Sequence, residues 1–212
     1  LIDLDAMERN LGKMSERLAG SGLRLRAHSK THKSPILARK QMALGAVGVC
    51  CQKVSEAEVM VAGGVEDILV SSEVVSLPKL RRLMALTRHA RVMVVVDDPR
   101  GAELLSEAAR EAKSSISVLV DVDVGQGRCG VPPGVPAAEV GKFVASLPGL
   151  EVKGIQAYEG KAQHVDGFEA RRKVYEVATR RIQDTVEEFN SAGLSTEIKS
   201  GGGTGSWRWD LE

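Results

Sequence analysis

Short aliphatic runs alternate with longer helix-forming segments along almost the whole chain of 212 residues. A run such as Val92–Val96 is apolar at every position, which is typical of parallel strands covered on both faces. Between the runs, apolar residues recur at helical spacing. We predict strands at Leu23–Lys30, Ala46–Gln52, Asp67–Ser71, Arg91–Val96, Ser117–Val124, Val152–Tyr158 and Thr196–Lys199. We predict helices at Leu4–Leu18, Pro35–Leu44, Ser55–Ala62, Leu77–Thr87, Pro99–Lys113, Ala137–Ser146 and Phe168–Ala192.

This strand–helix alternation defines an α/β fold and leaves two architectures open. Repeated units of this kind are typical of a doubly wound parallel sheet or of a (β/α) barrel. A closed barrel needs eight strands, and the pattern supplies only seven. The chain also begins at Leu1 without an initiator Met or a signal-peptide pattern. We therefore expect a chain that is entered partway and that stops before an eighth strand.

The charge and composition argue against several classes of partner and compartment. With 29 Lys and Arg against 28 Asp and Glu, the net charge is +1, and no basic stripe marks a nucleic-acid surface. No segment approaches the roughly 18 apolar residues that span a bilayer. Three cysteines, an odd number, are typical of a reducing compartment. We expect no nucleic-acid or membrane partner and a cytoplasmic location.

The densest chemical signal is the segment Arg26–Lys33, RAHSKTHK, at the end of the first predicted strand. With a side-chain period of two, every second residue from Arg26 to His32 lies on one face, so that His28 and Lys30 are neighbours. Cationic groups this close disfavour one another's charge, which favours the neutral amine that an imine-forming lysine requires. Taken alone, the segment is also what a solvated basic loop looks like.

A second signal is the glycine run Ser200–Gly205, SGGGTG, after the last predicted strand. Successive glycines let backbone N–H groups converge on an anion, and Thr204 adds a hydroxyl donor. The run is neither a Walker loop nor a dinucleotide fingerprint, and a flexible turn is the alternative. A phosphate-binding loop of Gly202, Gly203 and Thr204, together with an activated lysine after another strand, is what a pyridoxal phosphate (PLP) site requires.

Two further candidates stand at strand ends, and no metal site is predicted. Arg128 lies in a glycine-rich loop from which it would reach a cofactor oxygen or ring nitrogen, and Tyr158 ends a strand as a possible ring partner. The alternatives are a surface arginine and a tyrosine whose hydroxyl is satisfied at the rim. Cys50 and Cys51 are interpreted as small core residues. No CxxC or HExxH spacing occurs in the sequence.

Together these segments resemble the D-threonine aldolase / D-serine dehydratase family, whose fold is the alanine racemase N-terminal barrel. The family pattern R-x-H-x-K-x-H-K appears as Arg26–Lys33. The segments Gly48–Glu58, Gly154–Tyr158 and Ser200–Ser206 look most like the 3-hydroxy-D-aspartate aldolase branch, and the resemblance runs through essentially the whole chain in order. One departure is Glu159, where many D-threonine aldolases carry His, which puts one substrate contact in doubt.

The resemblance implies the fold, the cofactors and the residue roles. The fold would be a PLP-binding (β/α)8 TIM-type barrel, incomplete here, with residues 1–212 forming a truncated N-terminal domain that lacks a C-terminal β-domain. Lys30 would be the Schiff-base lysine, with His28 and His32 as further catalytic residues. A divalent metal (Mg, Mn or Zn) would have its ligands outside this chain, and the full-length protein would be a homodimer.

The implied activity is that of a PLP-dependent lyase acting on a small D-3-hydroxy amino acid. Cleavage of 3-hydroxy-D-aspartate would give glycine and glyoxylate, and a D-threonine-like substrate is the other candidate that the resemblance implies. The closest alternative is a dehydratase on the same scaffold, in which Lys30 removes the Cα proton and the 3-hydroxyl leaves. A second alternative is a non-catalytic PLP-binding protein.

Overall fold

The computed structural model describes residues 2–211, which form seven parallel strands connected by helices. The strands are β1 (Arg26–His28), β2 (Gly48–Cys51), β3 (Asp67–Val70), β4 (Arg91–Val96), β5 (Ile116–Asp121), β6 (Leu150–Ala157) and β7 (Ile198–Gly201). The helices are α1 (Leu4–Leu18), α2 (Pro35–Ala43), α3 (Val54–Ala62), α4 (Leu77–Leu86), α5 (Pro99–Ala112), α6 (Val135–Ser146), α7 (Phe168–Ser191) and α8 (Trp207–Asp210). Two 3-10 turns, Ser29–Thr31 and Lys161–His164, follow β1 and β6.

The strands lie in chain order, each parallel to the next, with β1 and β7 at the two edges of the sheet. Side chains from β2 to β5 pack together with Ile198 of β7 on one face: Cys50, Leu69, Met93, Val95 and Leu119. Neighbouring strands are about 4.8 Å apart, so a flat sheet would keep β2 and β7 far from each other. The sheet is therefore strongly curved.

A salt bridge inside the curve supports the same conclusion. Arg91 of β4 places its Nη2 atom 3.8 Å from Oε1 of Glu197, which directly precedes β7. The other face of the sheet packs against the helices, so strand residues on both faces are buried. This explains why the β4 run is apolar throughout. The incomplete (β/α)8 barrel is confirmed, and the doubly wound alternative is wrong.

The predicted elements all exist, but one boundary error bears on the site. The first strand was predicted to continue to Lys30, whereas β1 ends at His28 and the chain turns into a 3-10 helix at Ser29. The turn forms because the Ser29 side chain is fully buried and its hydroxyl donates to the carbonyl oxygen of Cys50, 2.9 Å away. No helix within residues 2–211 is long and apolar enough to cross a membrane.

Candidate active site

The predicted site residues lie on segments that directly follow strand carboxyl ends. Lys30 follows β1, Arg128 lies in the loop after β5, Tyr158 follows β6, and Gly202–Thr204 follow β7. Since all seven strands are parallel, these segments are at the same rim of the barrel. The rim at the strand carboxyl ends is where barrels of this kind carry their ligand sites.

Lys30 lies on the 3-10 turn, with its side chain exposed at the rim. His28 caps this turn, because its Nδ1 atom accepts a hydrogen bond from the backbone N–H of Lys30 at 3.3 Å. The expectation that every second residue from Arg26 to His32 shares one face is wrong beyond His28, since the strand period ends there. Lys30 and His28 are nevertheless brought together, by the cap rather than by a strand.

His28 is held in its neutral form. Burial, followed by the positive charge of Lys30, lowers the pKa of His28 to about 4, and the charge of Arg128 acts in the same direction. Glu56 opposes this shift. The uncharged ring agrees with the geometry, because an imidazole nitrogen that accepts a backbone hydrogen bond carries no proton.

His32 ends the turn and contacts the start of α2. Its Nδ1 atom accepts from the backbone N–H of Ser34 at 3.0 Å, at the start of that helix. Its Nε2 atom is buried and has no hydrogen-bond partner within residues 2–211. Burial lowers the pKa of His32, and a side-chain interaction with Gln41 opposes the shift. A catalytic role for His32 stays a prediction; its contacts are with the start of α2.

The end of the turn is fastened to β2 and α3. Lys33 adopts a left-handed backbone conformation (φ 50°), and its Nζ atom lies 3.4 Å from Oε1 of Glu56. The other oxygen of Glu56 accepts from the backbone N–H of Gln52 at 2.7 Å, just before α3. A buried carboxylate therefore connects the segment carrying Lys30 with the neighbouring strand end.

Arg128 lies on an exposed loop that is fixed at several points. Asp123 Oδ1 accepts from the backbone N–H groups of Gly125 and Gly127, at 3.0 and 2.9 Å. The backbone N–H of Gly130 donates to Asp97 Oδ2 at 3.0 Å. These contacts fix the loop at the rim, and the charge of Arg128 contributes to the lowered pKa of His28.

Glu159, the residue that departs from the resembled family, supports the same loop. It is only 8% exposed, and its Oε1 atom accepts from the backbone N–H of Lys161 at 2.7 Å. Its Oε2 atom lies where a Cβ atom on Gly125 would stand, and the φ of 146° at Gly125 is one that other residues rarely adopt, so glycine is favoured at that loop position. Glu159, which follows Tyr158 in the sequence, therefore lies between the loop after β5 and the turn after β6.

Asp121, at the end of β5, is a buried group that sequence reasoning missed. It is 8% exposed, and burial, with Glu73 and Asp97 nearby, raises its pKa to about 8. Burial likewise raises the pKa of Asp97, against the hydrogen bond from Gly130. The available signal for this group was an acidic residue at the end of a strand, on the face that points into the barrel. The sequence gives no indication, however, that such a residue is protonated.

The protonation of Asp121 makes stability depend on pH. Native Asp121 keeps its proton to about pH 8, while the unfolded chain loses it near pH 4, so stability falls as pH rises between these values. Between pH 6.5 and 9 the wild type should lose unfolding free energy, and Asp121→Asn should lose less. We expect the difference between the two losses to be about 1 kcal/mol or more, since one pKa unit is about 1.4 kcal/mol. Urea titrations at both pH values measure this.

The range from pH 6.5 to 9 is chosen to exclude the titration of His28. Because the pKa of His28 is lowered to about 4, His28 reduces stability as the pH falls from 6.5 toward 4, whereas Asp121 reduces stability as the pH rises. Asp166→Asn, at an exposed carboxylate, is the control and should keep the wild-type dependence. An Asp121→Asn protein with the full wild-type loss at high pH would show that Asp121 is ionised in the native state.

The glycine segment after β7 forms a tight loop with few places for side chains. Gly202 has a positive φ of 74°, and a Cβ atom there would be 2.7 Å from Asp210 Oδ2. A Cβ atom on Gly203 would be 2.8 Å from Gln163 Nε2. The backbone N–H of Gly205 donates to Gln163 Oε1 at 2.5 Å, and that of Gly203 donates to Ser206 Oγ at 3.0 Å.

Two features of this loop fit a phosphate group. Bare glycine backbone at Gly202 and Gly203 lets an anion approach closely. The side-chain NH2 of Gln163, beside Gly203, is buried and has no hydrogen-bond partner within residues 2–211. For a metal ion the result differs: no group of three or more His, Cys, Asp or Glu side chains in the described part of the chain is arranged to hold one.

The fold and this rim define a (β/α) barrel protein with a candidate cofactor site built from a capped lysine and a glycine loop. The model of the alanine racemase N-terminal domain matches residues 2–210. The chain belongs to the alanine racemase N-terminal domain family.

Individual relatives also match nearly the whole of this chain. A 3-hydroxy-D-aspartate aldolase of Paracoccus denitrificans is 43% identical over 212 residues, 99% of this chain and 55% of the relative. A crystal structure of a D-threonine aldolase from Filomicrobium marinum superposes with a TM-score of 0.97 at 46% identity, over 100% of this chain and 57% of that one. The structure of a D-threo-3-hydroxyaspartate dehydratase from Delftia superposes with a TM-score of 0.89 at 29% identity. This match covers 97% of this chain and 54% of the dehydratase. The chain thus spans a little over half the length of these proteins.

Proposed function

We propose that this chain is the barrel half of a PLP-dependent lyase that cleaves the Cα–Cβ bond of a D-3-hydroxy amino acid, with 3-hydroxy-D-aspartate as the first candidate substrate and D-threonine-like compounds as the second. The observation that carries the proposal is that the sequence of this chain is more similar to the aldolases than to the dehydratase. The two aldolases named above are 43% and 46% identical to this chain, whereas the dehydratase is 29% identical.

The residues at the rim have distinct proposed roles. Lys30 would hold the cofactor covalently through Nζ, and its exposed position on the capped turn leaves it accessible. Gly202, Gly203 and Thr204 would hold the phosphate. Arg128 and Tyr158 would contact the ring. When bound, PLP supplies an electron sink for the charge that develops at Cα.

The remaining groups support this arrangement. Neutral His28 accepts from the backbone of Lys30 and adds no positive charge beside the amine. Hydrogen bonds fix the loop that carries Arg128, and the positive charge of Arg128 also lowers the pKa of His28 on this turn. In the dehydratase alternative the same Lys30 would act as a base at Cα, so the two reactions differ in which bond to Cα is broken.

The reaction is tested by the products of the complete enzyme. With PLP, a divalent metal and 3-hydroxy-D-aspartate, we expect glycine and glyoxylate in equal amounts, because cleavage divides the substrate between Cα and Cβ. Mass spectrometry and a carbonyl assay quantify both. The L-substrate serves as the control and should remain intact. Ammonia and oxaloacetate without glycine would move the protein to the dehydratases, and PLP binding without turnover would favour the non-catalytic alternative.

Further parts of the proposal rest on the resemblance or on composition. A divalent metal (Mg, Mn or Zn) would take part in the reaction, although we assign no step to it and no ligand among the described residues. A homodimer is the proposed assembly. A reducing cytoplasm is the proposed compartment, because Cys50, Cys51 and Cys129 are all free thiols.

A further inference from the structure

Ser71, the residue that follows β3, contacts the ring nitrogen of His28 that does not cap the Lys30 turn. Its hydroxyl oxygen lies 3.1 Å from His28 Nε2. The same hydroxyl is 3.4 Å from the carbonyl oxygen of Cys51, which also accepts from the backbone N–H of Ser71 at 3.0 Å. Ser71 is therefore anchored to the end of β2 while its side chain reaches the ring of His28.

The positions of the protons in this chain of contacts follow from one fixed donor. The backbone N–H of Lys30 can only donate, so His28 Nδ1 accepts and carries no proton. A neutral imidazole has one ring proton, which then lies on Nε2 and is donated to Ser71. The hydroxyl proton of Ser71 is left for the carbonyl oxygen of Cys51. The hydrogen bonds run in one direction, from Lys30 through His28 and Ser71 to Cys51.

The turn at Lys30 depends on such support because it is short. It has only three residues, and 3-10 hydrogen bonds have poorer geometry than those of an α-helix. Its first residue, Ser29, is anchored to β2, whereas the side chain of Lys30 is exposed. The cap from His28 is the contact that acts on Lys30 itself.

We infer that Ser71 is a positioning residue for Lys30, because it accepts the Nε2 proton of His28 and so fixes the tautomer whose Nδ1 atom caps the turn. Without this acceptor, the Nε2–H group loses its partner, and the other tautomer becomes accessible. That tautomer places a proton on Nδ1, opposite the Lys30 N–H, and two donors repel each other. Ser71 thus acts on Lys30 through the ring of His28.

The inference rests on the proposed role of Lys30, but its first test needs neither cofactor nor substrate. The protein is labelled with 15N-histidine, and the tautomer of His28 is read from two-bond nitrogen–hydrogen couplings at pH 7, with His28→Gln identifying its signals. We expect a single Nε2–H tautomer in the wild type and a mixture in Ser71→Ala. Ser71→Thr, which keeps the hydroxyl, should restore the single tautomer.

Hydrogen exchange at the Lys30 backbone amide measures the consequence for the turn. We expect Ser71→Ala to accelerate this exchange about five- to tenfold, as the loss of one neutral hydrogen bond does. Ser72→Ala is the matched control. Ser72 is the next residue, and its hydroxyl accepts from Gln52 Nε2 at 2.7 Å instead of contacting His28. It should leave both the tautomer and the Lys30 amide unchanged.

A double-mutant cycle separates this role from general support of β3. If Ser71 acts through His28, Ser71→Ala adds nothing to the exchange of the Lys30 amide once His28→Gln is present. An equal increase in both backgrounds would overturn the inference, as would an unchanged tautomer in Ser71→Ala. If Ser71→Ala does not fold, Ser71→Cys offers a similar volume with a weak acceptor and should give the same mixture. Because these readouts precede any chemistry, they hold or fail separately from the lyase proposal.

Discussion

Replacement of Lys30 by alanine should abolish covalent PLP binding and reduce turnover by about 10³-fold or more, the order expected when a covalent catalyst is removed. The physical reason is that Lys30 is the amine exposed at the strand carboxyl ends on a turn anchored to β2 and capped by His28. Borohydride reduction of the yellow holoenzyme, followed by peptide mapping, should find the cofactor on one peptide at Lys30.

Lys53→Ala is the matched control for this experiment. Lys53 is also exposed and follows the neighbouring strand β2, but it directly precedes α3 and is not part of the turn. The control should bind PLP and turn over substrate as the wild type does. If the reduced cofactor is found on a peptide with Lys33 or Lys53 and without Lys30, the assignment is wrong.

The second large effect concerns the phosphate loop. We expect Gly202→Ala to weaken PLP binding about tenfold to a hundredfold, since a side chain at positive φ costs about 1–3 kcal/mol and 1.4 kcal/mol is a factor of ten. The new Cβ would also be 2.7 Å from Asp210 Oδ2. Affinity for pyridoxal, which has no phosphate, should be nearly unchanged, because the loop then has no group to hold.

Equilibrium dialysis of both compounds against the apoprotein measures the difference. Gly193→Ala is the matched control: its φ of 68° is close to the 74° of Gly202, and a Cβ there meets nothing within 4 Å. Gly193 precedes β7 and therefore lies at the opposite end of the strand from the loop. Equal losses for PLP and pyridoxal in Gly202→Ala would mean that the loop does not bind phosphate.

The sequence pattern predicted the strands and helices because the periodicity of apolar residues and the fold obey the same constraint. Parallel strands covered on both faces must be apolar throughout, and Val92–Val96 shows this directly. The lysine motif and the glycine run were also readable, because each lies next to a predicted strand, and parallel strands bring their carboxyl ends to one rim. The choice of a barrel needed the family resemblance, since the alternation itself fits two architectures.

Tertiary structure decided what the local pattern could not. The period of two placed Lys30 on a strand, but burial of Ser29 against Cys50 ends β1 at His28 and moves the lysine to a capped turn. Nothing in the local pattern shows that Ser71, 43 positions from His28, holds its ring. The protonation of Asp121 arises from burial and from nearby carboxylates in the segments that follow β3 and β4.

The division has a physical reason. Periodicity, turn chemistry and glycine freedom are properties of neighbouring residues, so the sequence determined the strands, the helices and the segments that carry the candidate chemistry. Tautomers, shifted pKa values and the contacts of a capped turn depend on distances between residues far apart in the chain. Only the curved sheet, which brings the strand carboxyl ends together, sets those distances.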